Sequence, residues 1–317
     1  MKQVFVEERG KIAIRNVPIP KLEPGTILVK IEVATICGQT DLHIIEGLHP
    51  GATPFPCVLG HEGAGVVADV GPGVKDFVPG DRVALRAWSD GTFSEYVKVR
   101  VDDALKIPDN MSFEEGSMLE ITSCVFGLVD QCVRLGDSVV ILGQGVSGLL
   151  ATQISRAAGA GRIIVTSRNK MKRDLGLQFG ADIAIDPREK DVIEEVGKIT
   201  GSCGVDVVLE CAGVPSTIAA CPQLVKQQGT IGIFGACVQP VSFDFFAFHQ
   251  KWARILSTGF KWAYSKGTFV RALELYTSGK ISLKPLITHW YSLDQIEDAF
   301  DLLRKGDERV VKIAIKP

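Results

Sequence analysis

Residues 138–148 read SVVILGQGVSG. An apolar run ends at Gly143, and a helical pattern starts at Ser147. A G-x-G-x-x-G turn placed between strand and helix lets a pyrophosphate approach the backbone and sit on a helix N-terminus. Gly143, Gly145, Val146, Ser147 and Gly148 are therefore candidate dinucleotide contacts. Outward from this turn, residues 138–258 alternate apolar runs with amphipathic ones. The spacing predicts strands at Ser138–Leu142, Arg162–Thr166, Ile183–Ile185, Val205–Leu209, Thr230–Phe234 and Arg254–Ser257. It predicts helices at Ser147–Ala158, Asn169–Phe179, Glu189–Thr200 and Pro215–Leu224. Repetition of this kind gives an α/β, parallel, doubly wound sheet.

The chain before the turn has a different texture. Up to about residue 110 it is built of short β-like runs, Ile27–Val33, Gly65–Val70, Arg82–Leu85 and Phe93–Val99, separated by Glu23-Pro24-Gly25 and Val78-Pro79-Gly80-Asp81. That spacing predicts an antiparallel, barrel-like β domain. From Ser112 the periodicity turns helical, with Glu114-Glu115 in the first turn. The tail, 261–317, ends in an expected helix (Asp294–Lys305) and strand (Val310–Ile315). Because the doubly wound sheet is complete before it, this tail is expected to return to the first domain.

At 317 residues the chain is long enough for two cores. A net charge of −2 without long like-charge runs argues against a nucleic-acid or membrane partner. No apolar stretch approaches the roughly 20 residues that span a bilayer, and residues 1–14 carry no signal-peptide core. The eight cysteines contain no C-x-x-C pair, which fits a reduced, cytoplasmic protein.

Cys37 is set apart by its surroundings. Thr35-Ile36-Cys37-Gly38-Gln39-Thr40-Asp41-Leu42-His43 is followed by Leu59-Gly60-His61-Glu62-Gly63-Ala64-Gly65, and Glu120 lies further on. A thiolate, an imidazole and carboxylates suit a catalytic Zn²⁺ that keeps one position open. A lone cysteine in apolar company is ordinarily core, and a lone His-Glu pair ordinarily surface; the combination argues otherwise. Together with the glycine turn, these residues point to a metal that polarises an alcohol oxygen and a nicotinamide that takes the hydride.

These segments, with Pro79-Gly80-Asp81-Arg82-Val83, resemble the zinc-containing medium-chain dehydrogenase/reductase family, which includes alcohol, sorbitol and threonine dehydrogenases. The resemblance runs nearly end to end, through Ile141–Leu149, Asp206–Gly213 and Gly229–Gly235. It implies a GroES-like catalytic domain, here 1–121 with 261–317, split by a Rossmann domain, 122–260. It implies Cys37 and His61 as metal ligands, with Asp41 accepting the other N–H of His61 and fixing its tautomer. Glu120 stands where cysteine-ligated alcohol dehydrogenases place a second Cys, and it resembles the glutamate of the sorbitol and threonine branch. Either Glu62 or Glu120 is the next ligand, and both are carried forward.

Two departures from the family pattern carry consequences. Arg82-Val83 leads almost at once into Phe93-Ser94-Glu95-Tyr96 with no intervening Cys, so the lobe for a structural zinc is absent and one zinc per chain is expected. The Cys37–Asp41 spacing is one residue longer than C-G-[ST]-D. Gln39 occupies the place of the family's relay hydroxyl, which leaves Thr40 as the substitute and His43 as the next carrier of the proton; Thr40 is alternatively only a helix N-cap. Phe55, Trp88 and Phe113 are candidate pocket residues.

At the end of the second predicted Rossmann strand stand Ser167 and Arg168, with Lys172 nearby, where NAD-dependent enzymes carry an acid. A hydroxyl followed by a guanidinium suits a 2′-phosphate, so NADP(H) is expected over NAD(H), the alternative being an ordinary solvated basic helix start. The expected activity is hydride transfer between NADP(H) and a small alcohol or carbonyl substrate of secondary-alcohol, polyol or hydroxy-acid type. The rivals are a zinc-free quinone or enoyl reductase and a non-enzymatic nucleotide-binding protein. Edge strands Thr230–Phe234 and Arg254–Ser257, with the aromatic run Phe243–Phe248, predict a homodimer or homotetramer, although that run is alternatively buried within the subunit.

Overall fold

The computed structural model describes residues 1–49, 54–88, 90–257 and 265–317. They form two compact units, Met1–Ile121 with Ser282–Pro317, and Thr122–Ile281. The first unit opens with β1 (Lys2–Glu8), β2 (Lys11–Asn16) and β3 (Thr26–Thr35), then α1 (Gly38–Ile45). It continues with β4 (Cys57–Val58), β5 (Glu62–Val70), β6 (Arg82–Arg86), β7 (Tyr96–Arg100), β8 (Ala104–Lys106) and the short α2 (Phe113–Ser117). Ser112 and Glu115 close a capping box on α2, as the Ser112 signal implied.

The long β3 is the hub of this unit. It pairs antiparallel with β5 and β7, and its buried side chains join β1, β6 and β7 in one core. The strand expected at Phe93–Val99 begins only at Tyr96. Phe93 is fully buried, and the segment before Tyr96 is taken up by β1: Val4 donates to the Phe93 carbonyl and Glu95 to the Lys2 carbonyl.

α3 (Leu119–Cys132) carries the chain into the second unit. There β9 (Ser138–Leu142), α4 (Val146–Ala157), β10 (Arg162–Thr166), α5 (Lys170–Gln178), β11 (Ile183–Ile185) and α6 (Val192–Thr200) follow in strict alternation. Next come β12 (Val205–Glu210), α7 (Pro215–Leu224), β13 (Val225–Ile233), α8 (Phe245–Gln250) and β14 (Arg254–Ser257). All six strands are parallel, in the order β11-β10-β9-β12-β13-β14. The order reverses at β9, so the crevice beyond its C-terminal end is the switch point where α/β sheets take their ligands.

The tail does not all belong to the first unit. The expected return point, residue 261, lies outside the described residues. The helix α9 (Lys266–Thr277), absent from the sequence expectation, stays with the second unit, burying Phe269 and Ala272 one turn apart. The chain rejoins the first unit at Ser282 and adds β15 (Ile287–Ser292), α10 (Ile296–Arg304) and β16 (Lys312–Lys316). β16 pairs antiparallel with β3, completing a sheet ordered β15-β16-β3-β5-β6-β8 with β7 alongside β3. The β15–β16 pair is parallel, an exception to the otherwise antiparallel pairing expected there.

Candidate metal centre and dinucleotide turn

Two segments of chain bring the metal-ligand types together in the first unit. Cys37 caps the N-terminus of α1, and its N–H donates to Asp41 Oδ2 at 2.9 Å. His61 and Glu62 stand where β5 begins. Gly60 before them is at φ +90°, and a Cβ there would meet Thr92 Oγ1 at 2.7 Å, so this turn accepts glycine on both counts. The His61 carbonyl accepts from Ala87 N–H at 3.0 Å, which pins the start of the strand. One donor atom each from Cys37, His61 and Glu62 lies within 4.8 Å of the others.

The imidazole is oriented from two sides. Its Nδ1 is 3.5 Å from Asp41 Oδ1, an ion-pair distance rather than a formed hydrogen bond, and that oxygen has no nearer polar partner. The Trp88 indole lies flat on the ring, centroids 4.2 Å apart and 8° from parallel. With Nδ1 committed to Asp41, Nε2 is the nitrogen left for a metal. Burial alone would push the His61 ring down, but Asp41 and Cys37 hold it well above its ordinary value of 6.5.

Glu62 is fully buried and engaged. Its two oxygens receive Lys312 Nζ at 2.8 and 2.6 Å, and Thr35 Oγ1 donates to Oε2. Lys312 is itself 2 % exposed. Burial disfavours its ammonium, yet Glu62, Cys37 and Glu120 outweigh that and hold it above the ordinary lysine value. Sequence reasoning missed Thr35 and Lys312. The available signal was a lone Lys inside the apolar run Val310-Val311-Lys312-Ile313-Ala314.

The other expected site residues fall as follows. Glu120 is buried in the first turn of α3 and is felt by Lys312, but it is not among the three side chains whose donors cluster. Thr40 is the third residue of α1, and Cys37 holds the N-cap position, so Thr40 is not an N-cap. The extra residue between Cys37 and Asp41 is absorbed in the first helical turn, leaving Gln39 exposed and Thr40 half-buried. His43 sits in the last turn of α1, lowered by burial and by His49; His49 in turn is lowered by burial and by His61. Its ring is 5.9 Å from Trp88. Phe113 is engaged elsewhere, beneath the Arg82 guanidinium at 4.4 Å, while Phe55 packs on the core.

In the second unit β9 enters α4 through the glycine turn. A Cβ at Gly148 would lie 2.0 Å from the Gly143 carbonyl oxygen, whereas one at Gly145 would meet nothing within 4 Å. The first contact is what lets helix and strand close; the second is open space of the kind a pyrophosphate needs. Gly145 caps α4 without a side chain, so the N–H groups of Val146 and Ser147 stay turned to that space. Nearby, Glu210 accepts from Ala212 N–H and Gly213 N–H, both at 2.9 Å, and from Thr217 Oγ1, fixing the loop after β12. Ser167 and Arg168 follow β10: Ser167 Oγ accepts from Asn169 N–H at 3.2 Å, and Arg168 is exposed, its guanidinium unpaired among the described residues. Lys172 lies in the first turn of α5.

Residues 23–109 match the alcohol dehydrogenase GroES-like domain, and residues 147–278 match the zinc-binding dehydrogenase domain. L-threonine 3-dehydrogenase of Pyrococcus furiosus is 33 % identical, over 95 % of this chain and 94 % of its own. The chain belongs to the zinc-type medium-chain dehydrogenase family. Sorbitol dehydrogenase of Bacillus subtilis is 30 % identical over 100 % of this chain and 97 % of its own. Among solved structures, a Sinorhizobium meliloti 1021 protein described as a zinc-binding dehydrogenase, solved bound to NADP, is 34 % identical with a TM-score of 0.90. That match covers 100 % of this chain and 99 % of the other. The enzyme is thus an oxidoreductase of alcohol and polyol dehydrogenase type. Among the described residues no helix is long and apolar enough to cross a membrane.

In metal-free protein the imidazolium's contacts stabilise the fold fully below 6.5 and are lost as pH rises through the raised value. A metal held by His61 would need the neutral ring and would therefore displace that proton. Ring NMR of chelator-treated enzyme should show His61 still protonated above pH 6.5, and added Zn²⁺ should abolish its titration. A ring already neutral at 6.5 without metal would contradict this electrostatic account.

Proposed function

We propose that this enzyme is a zinc-dependent NADP(H) dehydrogenase acting on a secondary alcohol, polyol or hydroxy acid and the matching carbonyl compound. The carrying observation is the convergence of Cys37, His61 and Glu62 donors within 4.8 Å. A thiolate, a neutral imidazole and a carboxylate are a donor set that fits Zn²⁺ and leaves one position for substrate. Bound zinc supplies Lewis acidity at the substrate oxygen, and NADP(H) supplies or takes the hydride.

The side chains do the remaining work. Asp41 lies 3.5 Å from His61 Nδ1 and Trp88 stacks on the ring, which leaves Nε2 as the nitrogen for the metal. Lys312 and Thr35 hold Glu62, whose carboxylate has lone pairs to spare for a metal beyond those two partners. Glu62 is therefore the third ligand in this reading, and Glu120 stands behind it as a further carboxylate. Thr40 accepts the substrate hydroxyl proton and His43 passes it outward; burial keeps His43 neutral and so able to take a proton. Retention of the full donor set speaks against the zinc-free reductase and the non-enzymatic reading. The eight cysteines are all free, which suits a reducing, cytoplasmic setting.

Elemental analysis should give about one Zn²⁺ per chain, and Cys37→Ala should lose metal and turnover while still binding NADPH. Two zinc ions per chain, or a fully active Cys37→Ala enzyme, would overturn the zinc reading.

The Ser167-Arg168 pair supports NADP(H), as does the NADP held by the Sinorhizobium meliloti relative. A charge-assisted phosphate bond contributes roughly 1.5–3 kcal/mol. Arg168→Ala should then weaken NADPH about 10- to 100-fold and leave NADH nearly unchanged in fluorescence titrations. Equal losses for both cofactors would show that Arg168 is only a solvated side chain.

We also propose a homodimer or homotetramer built on the free edge of β14. Ile255 on that strand and Phe245 and Phe246 on α8 are exposed, while Phe248 packs on the core beneath. Light scattering should give a multiple of the 34.2 kDa chain; a stable monomer would refute the assembly.

A further inference from the structure

We propose that Arg188 is a second guanidinium of the 2′-phosphate site, set beside Arg168 by the buried carboxylate of Asp186. The inference rests on the NADP(H) reading and adds to it a residue from a different loop. Asp186 follows β11, the neighbour of β10, and is 6 % exposed. Its Oδ1 accepts from Arg188 N–H at 2.9 Å and Nε at 3.2 Å; its Oδ2 accepts from Arg188 Nη2 at 3.0 Å and Arg173 Nη1 at 2.7 Å. A carboxylate surrounded by four donor contacts is saturated and presents no free oxygen that would repel a phosphate.

The same two arginines grip the residues proposed to read the cofactor. Arg173 Nη1 donates to the Ser167 carbonyl at 2.7 Å and the Arg168 carbonyl at 3.0 Å, and Arg188 Nη2 donates to the Arg168 carbonyl. Two guanidiniums on the 167–168 backbone fix where the Ser167 hydroxyl and the Arg168 side chain emerge. Their exposures then divide the roles. Arg173 is 16 % exposed and serves as a brace, whereas Arg188 is 55 % exposed where it touches the Arg168 backbone.

Charge decides what such a place binds. Arg168, Arg173 and Arg188 against Asp186 leave an excess of two positive charges at the end of β10. A ribose 2′-hydroxyl is neutral and gains little from that excess. A 2′-phosphate carries close to two negative charges and several acceptor oxygens, and bidentate guanidinium contacts suit it. One arginine alone would leave half of that charge unmatched.

The test is a double-mutant cycle on the intact enzyme, reading NADPH and NADH dissociation constants by cofactor fluorescence. Arg188→Ala should weaken NADPH about 10-fold and leave NADH unchanged, which also reports an intact fold. The loss should persist when Arg188→Ala is made in Arg168→Ala protein, and Arg188→Lys should recover part of it. Unchanged NADPH binding, equal weakening of both cofactors, or no further loss in the Arg168→Ala background would each overturn the proposal; the last outcome would make Arg188 only a brace. A wild type that prefers NADH overturns the NADP(H) reading, and this inference with it. A wild type that prefers NADPH and loses it only through Arg168→Ala overturns this inference alone.

Discussion

The first unit is organised around one buried ion pair, Lys312 with Glu62. Cys37, Asp41, Glu62 and Glu120 gather acidic or soft-anion groups in the interior of a small β structure, and an uncompensated carboxylate there costs several kcal/mol. Lys312 provides the positive charge, and it arrives on the last strand of the chain, 250 residues after its partner. That strand must pair with β3 to deliver it, so the chain has to leave the second unit and come back. The returning segment of the split first unit is thus the one that carries the compensating cation. Lys312 supplies part of the compensation, and the His61 ring, held above its ordinary value by Asp41 and Cys37, adds to it.

The two units solve opposite electrostatic problems with similar devices. The first keeps an acidic cluster in its interior, with Lys312 as the counter-charge. The second places an excess of arginine at the end of β10 around one carboxylate. In each, a buried charged side chain holds its oppositely charged neighbours in place: Lys312 holds Glu62, and Asp186 holds Arg173 and Arg188. The net charge of −2 conceals both features, because they nearly cancel over the chain.

Much of the second unit was legible in advance. β9, β10, β11, β14 and α7 begin and end where the pattern places them; for β9 and β10 the reason is that central parallel strands are unbroken apolar runs closed by glycine, proline or charge. The ligand types at Cys37, His61 and Glu62 were legible as chemistry. Less legible were places where a distant partner decides the local state. Phe93–Glu95 looks like strand but is claimed by β1, and α9 was missed because its buried face is short, essentially Phe269 and Ala272.

The sequence by itself determined the doubly wound sheet, the glycine turn and the set of residues able to bind a metal, since each depends on local periodicity or on residue chemistry at short spacing. Only the tertiary structure brought Glu62 rather than Glu120 into the donor cluster with Cys37 and His61, set Thr40 inside a helix rather than at its cap, and placed Lys312, Thr35 and Trp88 around that cluster. It also decided that Asp186 ties Arg188 to Arg168. Most of these are contacts between segments tens to hundreds of residues apart, such as Lys312 with Glu62, and they are fixed by strand register and burial rather than by local periodicity.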